Sequence, residues 1–363
     1  MSKLVPIVDP EGLLEYSVVF NDRALNHMSA VFQQVMRDIS ATLQQVYNAS
    51  GAVVVPGGGS FGMEAVARQF ANEQRCLVIR NGWFSYRWSQ ILEMGRIAPD
   101  TTVLQATPDS DHAQAAYKPP ALEQVVETIL REKPSVVCAP HVETASGMIL
   151  PEDYLKAVGD AVAQTGGLFV LDCVASGALW VDMKACGVDV LISAPQKGWS
   201  ASPCAALIAL SDKALERMES TTSSSFAADL KKWHQIMQAY ENGGHAYHAT
   251  MPTDTLAILR DRMKETVETG LDSLKERQWQ LGQDVRALFS RYGFRSVAAE
   301  GFEAPCVVVM HPDNPDIHNT SLFRQQGLQT AAGVPLMCGE PDNFRTFRVG
   351  LFGLEKLNHV NRT

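Results

Sequence analysis

At 363 residues and 46% hydrophobic content, the chain is long enough to bury one large core and a smaller one. Its 40 acidic and 31 basic residues leave a net charge of −9, and the basic residues form no runs, which excludes a surface built for nucleic acid or an anionic membrane. None of the seven cysteines makes a C-x-x-C pair, and Cys76, Cys138, Cys204 and Cys306 sit in apolar runs. They read as reduced core residues of a cytoplasmic protein, not as a disulfide frame or a zinc site. Lys3, Asp9 and Glu11 interrupt the amino terminus before any apolar stretch of signal-peptide length, and no later run is long enough to cross a membrane, so neither export nor spanning is expected.

In chain order, residues 16–20 (YSVVF) look like a strand and Asp22 like a helix start. From Ser29 the spacing of Val31, Val35, Ile39, Leu43 and Val46 predicts one apolar stripe on a helix, with Gly51 as its stop. Residues 52–55 then read as a buried strand broken by Pro56. Gly57-Gly58-Gly59-Ser60 leads into a helix carrying Met63, Val66 and Phe70, with Ser60 as N-cap. Strand, glycine turn and helix N-terminus make an anion site: glycines let backbone N–H groups approach a phosphate and the helix dipole adds a favourable field. A cofactor phosphate is assigned there. Gly57, Gly59 and Gly62 also satisfy G-x-G-x-x-G, so an NAD(P)-dependent oxidoreductase is the rival from another class. Its further requirements are poorly met, because the strand at 76–79 ends on Arg80-Asn81-Gly82 where a ribose-binding acid belongs; only a 2′-phosphate would suit Arg80.

Trp83 and Phe84 follow, where an aromatic at a strand's carboxyl end stacks on a flat heterocycle or packs against Ile91 and Leu92. A strand at 101–105, a helix at 120–131 with Leu122, Val125, Val126 and Ile129, and a strand at 135–139 come next. Pro151-Glu152-Asp153 opens another helix. Residues 168–171 form an apolar run ending on Asp172, and residues 188–193 form a second ending at Gln196-Lys197. In an open α/β sheet the carboxyl ends of strands border the ligand crevice, so the acid and the lysine meet around one ligand. An ammonium moved into such a crevice is relieved of its desolvation penalty by losing its proton or becoming an imine. Pyridoxal phosphate chemistry needs such an amine for the Schiff base, and an acid that keeps the pyridine nitrogen protonated. Asp172 and Lys197 fit those roles.

Residues 204–210 read as a closing strand that cannot be parallel so soon after Lys197. Strand and helix units across 52–210 predict a mainly parallel sheet sandwiched by helices, and residues 211–291 are mostly helical. His245 and His248 lack a carboxylate or cysteine at ligand spacing, so no metal is expected. From Gly293 the pattern becomes a small α+β domain, with strands at 307–310 and 345–349 and a helix around Leu322. On the last strand Arg348 would grip a substrate carboxylate with two hydrogen bonds or pair with an internal acid, and Arg345 would face the other way. The division expected is an N-terminal segment (1–25), a large domain (26–260) and a small one (261–363) packed with that segment.

The segments GGGSFGMEAV, HVETASGMILP, LDCVASGALWVDMKACGVDVLISAPQKG and FRVGLFG together resemble the class V, fold type I, pyridoxal phosphate-dependent aminotransferases, nearest the alanine-glyoxylate and serine-pyruvate group. The resemblance runs from about residue 25 to the end. It implies that Gly58, Gly59 and Ser60 hold the phosphate, that Phe84, ahead of Trp83, stacks on the ring with Val174 on the opposite face, and that Thr144 and Gln196 hold the cofactor through polar bonds. It also implies a homodimer in which Tyr247 and Thr250 reach the neighbouring subunit's phosphate. The reaction implied is transamination between an alanine- or serine-like amino acid and glyoxylate or pyruvate. Lys197 would hold the cofactor and then act as base, and Arg348 would hold the substrate carboxylate. HVETASGM also resembles 2-aminoethylphosphonate-pyruvate aminotransferase. A lyase or desulfurase on the same cofactor would have Cys338 as its loop cysteine. The sequence departs from the pattern in its unusually glycine-rich phosphate loop, in Cys204 where a glycine is common, and in a start without Gly-Pro. It ends at Thr363 in the first turns of a helix, short of the length expected from its relatives.

Overall fold

The apolar runs become the strands of one seven-stranded sheet in the computed structural model, which describes residues 8–363; Lys3 lies outside them. The strands are β1 (Gly51–Pro56), β2 (Arg75–Arg80), β3 (Asp100–Gln105), β4 (Val136–Pro140), β5 (Leu168–Asp172), β6 (Val190–Ser193) and β7 (Ala205–Leu210). Across the sheet they lie in the order β1-β7-β6-β5-β4-β2-β3. The five from β6 to β3 pair in parallel, and β7 runs antiparallel to both β6 and β1. The short connection from β6 to β7 forces that reversal, since a parallel return needs a crossover of a dozen residues or more. The topology also removes the nicotinamide rival: β1 is an edge strand paired only to an antiparallel neighbour, so the glycine turn after it does not open a parallel βαβ unit.

Helices α1 (Ala30–Tyr47), α2 (Gly59–Val66), α3 (Trp83–Met94), α4 (Leu122–Glu132) and α5 (Glu152–Thr165) belong to the same unit. Ser29 caps α1 through its hydroxyl, which accepts from the Phe32 N–H at 3.1 Å. The helix ends at Asn48 in the left-handed region, ahead of Gly51, which begins β1. The buried stripe is Phe32, Val35, Met36, Ile39, Leu43 and Tyr47, so the predicted face is right in its middle but Val31 is exposed. Ser60 is not the cap of α2. Gly58 holds that position, its carbonyl accepting from Phe61 and Gly62, and the Ser60 hydroxyl accepts from Arg87 Nη1 instead. Residues 16–20 form no strand and Asp22 starts no helix; Ser17 folds the stretch locally by accepting from the Phe20 N–H at 3.0 Å.

Helices α6 (Leu230–Glu241) and α7 (Thr253–Thr269) pack on α1, and α8 (Leu271–Arg291) leads to a second, four-stranded antiparallel sheet. Its strands β8 (Arg295–Ser296), β9 (Val307–His311), β10 (Ala331–Ala332) and β11 (Phe347–Gly350) lie in the order β8-β9-β11-β10. Arg345 precedes β11 and faces neither side of it, because its guanidinium donates to the Asp342 and Phe344 carbonyls. α7 runs unbroken through residue 260, so a division there cuts a helix. Leu256, Leu259 and Met263 join the main core while Leu274 and Leu281 join the C-terminal one. We propose that the boundary is Gly270, whose φ of 97° separates the two helices.

The carboxyl edge of the sheet is held close to α2 by Gly62, where an added Cβ would lie 2.5 Å from Ala206 Cβ and 3.2 Å from Ile192 Cγ2. Gly62→Ala therefore sets a helix-propensity gain of about 1 kcal/mol against an overpacking penalty of about 1–3 kcal/mol. The expected result is a net loss of up to roughly 2 kcal/mol in urea unfolding. A more stable variant would show that α2 slides freely over the sheet.

Candidate active site

Two adjacent parallel strands end together at the site: Asp172 closes β5, Ile192 lies opposite it in register on β6, and Lys197 follows five residues later. The turn carrying Lys197 is held by the Ala201 N–H donating to the Pro195 carbonyl at 3.0 Å and the Ser200 N–H to the Lys197 carbonyl at 3.2 Å. Ser200 also accepts from the Leu354 N–H at 2.7 Å, which ties this turn to the C-terminal segment. Asp172 is 8% exposed, and one of its oxygens accepts from the Val174 N–H at 2.9 Å. Burial pushes its carboxyl up to about 6; Glu143 adds to the rise, while the Val174 N–H and Arg87 oppose it. Burial likewise pushes the Lys197 amine below the usual lysine range, with further lowering from Arg348 and Arg87. Its Nζ lies 4.8 Å from the Phe352 ring centroid.

Phe84, in the first turn of α3, is where the two halves of the molecule meet. Arg87 Cζ stands 4.7 Å from its ring centroid and Arg348 Cζ stands 5.7 Å from it, the latter reaching over from β11. Arg348 donates through Nε to the Ala332 carbonyl at 2.9 Å, and none of the ion pairs among the described residues includes it. The structural ion pair weighed for it is thus not made here.

Glu143 is a residue that the sequence reading passed over. It is completely buried, and its carboxylate accepts from the N–H groups of Phe84 (3.2 Å), Ser85 (2.8 Å) and Ala145 (2.9 Å) and from the Ser85 hydroxyl (2.7 Å). It satisfies the first N–H groups of α3 and pins the Phe84 turn to the Thr144 loop in one network. The only sequence signal was an acid inside a run that otherwise packs, HVETASGM. Arg87, the other omission, carried no signal beyond lying one helical turn after Trp83 and Phe84.

Gly58, Gly59 and Ser60 open α2 at the same edge, with Val174 packed on Gly59 so closely that a Cβ there would lie 2.7 Å from Val174 Cγ2. Thr144 is half-buried beside Glu143, and Gln196 is exposed next to Lys197. Tyr247 and Thr250 are exposed on the surface and hydrogen-bond each other at 3.0 Å. His248 bonds the Phe226 carbonyl, and no cluster of metal-ligating side chains occurs among the described residues. Cys338 is buried and its thiol is pushed up to about 12, by burial first, which is the wrong state for a mobile nucleophile.

These groups fit pyridoxal phosphate. Among the described residues, the Asp172 carboxylate meets no donor besides the Val174 N–H and the Thr144 hydroxyl has no partner, and a Cβ added at Gly58, the residue before α2, would meet nothing within 4 Å. An acceptor, a hydroxyl and a helix start with room before it suit a flat, phosphorylated ligand. Residues 13–334 match the family described as aminotransferase class-V.

The chain belongs to the class-V aminotransferases.

Family and fold make it a pyridoxal phosphate-dependent transferase. Among curated relatives, it is 26% identical over 370 residues to alanine–glyoxylate aminotransferase 1 of Saccharomyces cerevisiae, covering 92% of this chain and 88% of that one. It is 27% identical to 2-aminoethylphosphonate–pyruvate transaminase 2 of Paraburkholderia xenovorans (91% and 86% covered) and 25% identical to the soluble hydrogenase small subunit of a Synechococcus strain (96% and 86% covered). In fold it superposes on an alanine–glyoxylate aminotransferase from Nostoc with a TM-score of 0.78 at 22% identity, over 93% of this chain and 87% of that one. This is the fold type I architecture that the resemblance implied, built on the mainly parallel sheet that the strand and helix pattern predicted.

The buried acid of this aminotransferase gives a pH test. Its carboxyl titrates at about 6 when folded and about 3.9 in an unfolded chain, so the folded state binds more protons between those values. Stability from this group therefore falls as pH rises through that window. Asp172→Asn keeps the Val174 contact and is expected to stabilise the cofactor-free protein at pH 8 by something on the order of 2 kcal/mol, an advantage that shrinks toward pH 4. Equal urea midpoints for variant and parent at pH 8 would contradict the burial argument.

Proposed function

We propose that the enzyme moves an amino group from a small amino acid of the alanine or serine type to a 2-oxo acid such as glyoxylate or pyruvate. What carries this reading is one charged network: Arg348 and Arg87 both face the Phe84 ring and both act on the Lys197 amine, Arg87 also acts on the buried Asp172 acid, and Arg348 has no ion-pair partner among the described residues. In support, relatives are named for amino transfer to glyoxylate or pyruvate, from alanine, L-aspartate or 2-aminoethylphosphonate, while one relative is named as a hydrogenase subunit.

Pyridoxal phosphate, when bound, supplies an aldehyde that condenses with amines and a ring that accepts the electron pair left when the substrate Cα loses its proton. Lys197 is the amine proposed to meet the aldehyde, because burial, Arg348 and Arg87 all shift it below the usual lysine range. With the cofactor and a substrate amine bound, the same Nζ would be the base that takes the proton from the substrate Cα and gives it back to complete the transfer. Asp172 accepts the ring N–H with the oxygen that Val174 leaves uncommitted. Phe84 and Val174 confine the ring faces, Gly58, Gly59 and Ser60 take the phosphate, and Thr144 and Gln196 add polar bonds. Arg348 takes the substrate carboxylate through its two Nη groups.

Tyr247 and Thr250 belong to the same proposal as groups that complete a neighbouring subunit's phosphate site in a homodimer. Their support is that both are exposed, bonded to each other and displayed on a loop packed against the His27 ring, 5.5 Å from Tyr247. A cytoplasmic setting is also proposed, supported by seven free, buried cysteines. Among the described residues, no helix is long and apolar enough to cross a membrane.

The parent protein is expected to be yellow, with a visible band that alanine, serine or 2-aminoethylphosphonate converts and that Lys197→Ala abolishes. Retention of an unaltered band in Lys197→Ala would end the assignment of that amine. Arg348→Ala should keep the colour and lose about 100-fold in kcat/KM for carboxylate donors, mostly through KM. Unchanged steady-state kinetics would remove Arg348 from the substrate site.

A further inference from the structure

The phosphate carries a charge of roughly −1.5 to −2 near neutral pH, yet the groups placed around it are formally neutral. Gly58, Gly59, Ser60, Thr144, Gln196, Tyr247 and Thr250 offer donors without a full positive charge. A helix N-terminus adds the equivalent of about half an elementary charge. Most of the anion's charge would be left uncompensated at a partly desolvated edge, which is costly.

We infer that Arg87 supplies the balancing charge and is a cofactor-binding residue at the phosphate end. Its Nη1 donates to the Ser60 hydroxyl at 2.9 Å, on the second residue of α2, and its Cζ lies 4.7 Å from the Phe84 ring centroid. One side chain thus touches both the phosphate loop and the ring-stacking residue. The bond to Ser60 uses one of five N–H donors, and none of the ion pairs among the described residues includes Arg87. Its field acts in the same place, lowering both the Asp172 carboxyl and the Lys197 amine. Arg348 faces the same ring from β11 but is anchored to Ala332, away from α2, so the two guanidiniums divide two anions between them. Arg348 meets the substrate carboxylate and Arg87 meets the phosphate.

This inference rests on the pyridoxal phosphate reading above, and its test separates the two. Full-length protein stripped of cofactor is titrated with pyridoxal phosphate and with pyridoxal, which lacks the phosphate, and binding is read from tryptophan fluorescence. Arg87→Gln retains a donor for Ser60 and is expected to weaken pyridoxal phosphate about 30-fold but pyridoxal by less than about 3-fold. Arg87→Lys should restore most of the loss, and added salt should weaken the phosphate ligand more in the parent than in Arg87→Gln. Equal losses for both ligands would mean that Arg87 acts only by packing on Phe84, and would overturn the inference, as would no loss for either. Unchanged cofactor affinity with a selective loss of 2-aminoethylphosphonate turnover would move the cation to the substrate, which also overturns it. A parent protein that takes up neither ligand would sink the aminotransferase reading itself, and the role of Arg87 with it.

Discussion

The parallel pairing of β5 with β6 is the constraint from which the site follows. Because Ile192 sits opposite Asp172, both chains leave the sheet at the same level, and the Cys173 N–H still bonds the Ile192 carbonyl at 2.8 Å as they part. Two loops are thereby delivered to one edge, where the sheet, α2 and α3 thin out the solvent. Desolvation acts on the two charged groups there in opposite directions, raising the acid and lowering the amine, so each moves toward its neutral form. Such tuning cannot be had from groups placed on the solvated helices outside the sheet.

Around that edge the protein spends a second buried carboxylate on architecture. Glu143 binds backbone donors of Phe84, Ser85 and Ala145, joining the start of α3 to the loop after β4. A buried anion persists only when its lone pairs are satisfied, and four contacts satisfy this one. Its charge also raises the Asp172 carboxyl and opposes the burial shift on Arg348. The scaffold that positions the aromatic ring is therefore coupled to the acid and to the guanidinium whose chemistry that ring serves.

What could be read from residues alone followed the rules that are local. Short apolar runs ending in Asp172 and Lys197, the glycine turn after β1 and the forced reversal of β7 are properties of neighbouring positions, and all of them appear in the fold. The failures are equally physical. Residues 16–20 alternate like a strand, but a strand requires a partner edge, and none takes them up. Ser60 has a capping side chain in a plausible place, yet Gly58 adopts the extended cap conformation first and leaves the hydroxyl to Arg87. Arg345 and Arg348 looked like two faces of one strand until the Asp342 and Phe344 carbonyls held Arg345 outside it. Glu143 and Arg87 act across more than fifty and more than twenty residues of sequence, on Ser85 and Ser60, and spacing does not report contacts at that range.

The distribution of charge also orders events in the proposed reaction. Arg348 and Arg87 both push the Lys197 amine toward its neutral form, and each is the proposed partner of an incoming anion. A free amine is needed when the aldehyde must be captured; a proton must be held once it has been drawn from Cα. Anion binding acts on that balance, since a carboxylate on Arg348 would cancel part of the field that lowers the Lys197 amine. Before a substrate docks the field favours the nucleophile, and a docked carboxylate would weaken that preference. The arginine on β11 and the lysine on the turn after β6 are thereby linked twice, through that field and through the Leu354 N–H donating to the Ser200 hydroxyl.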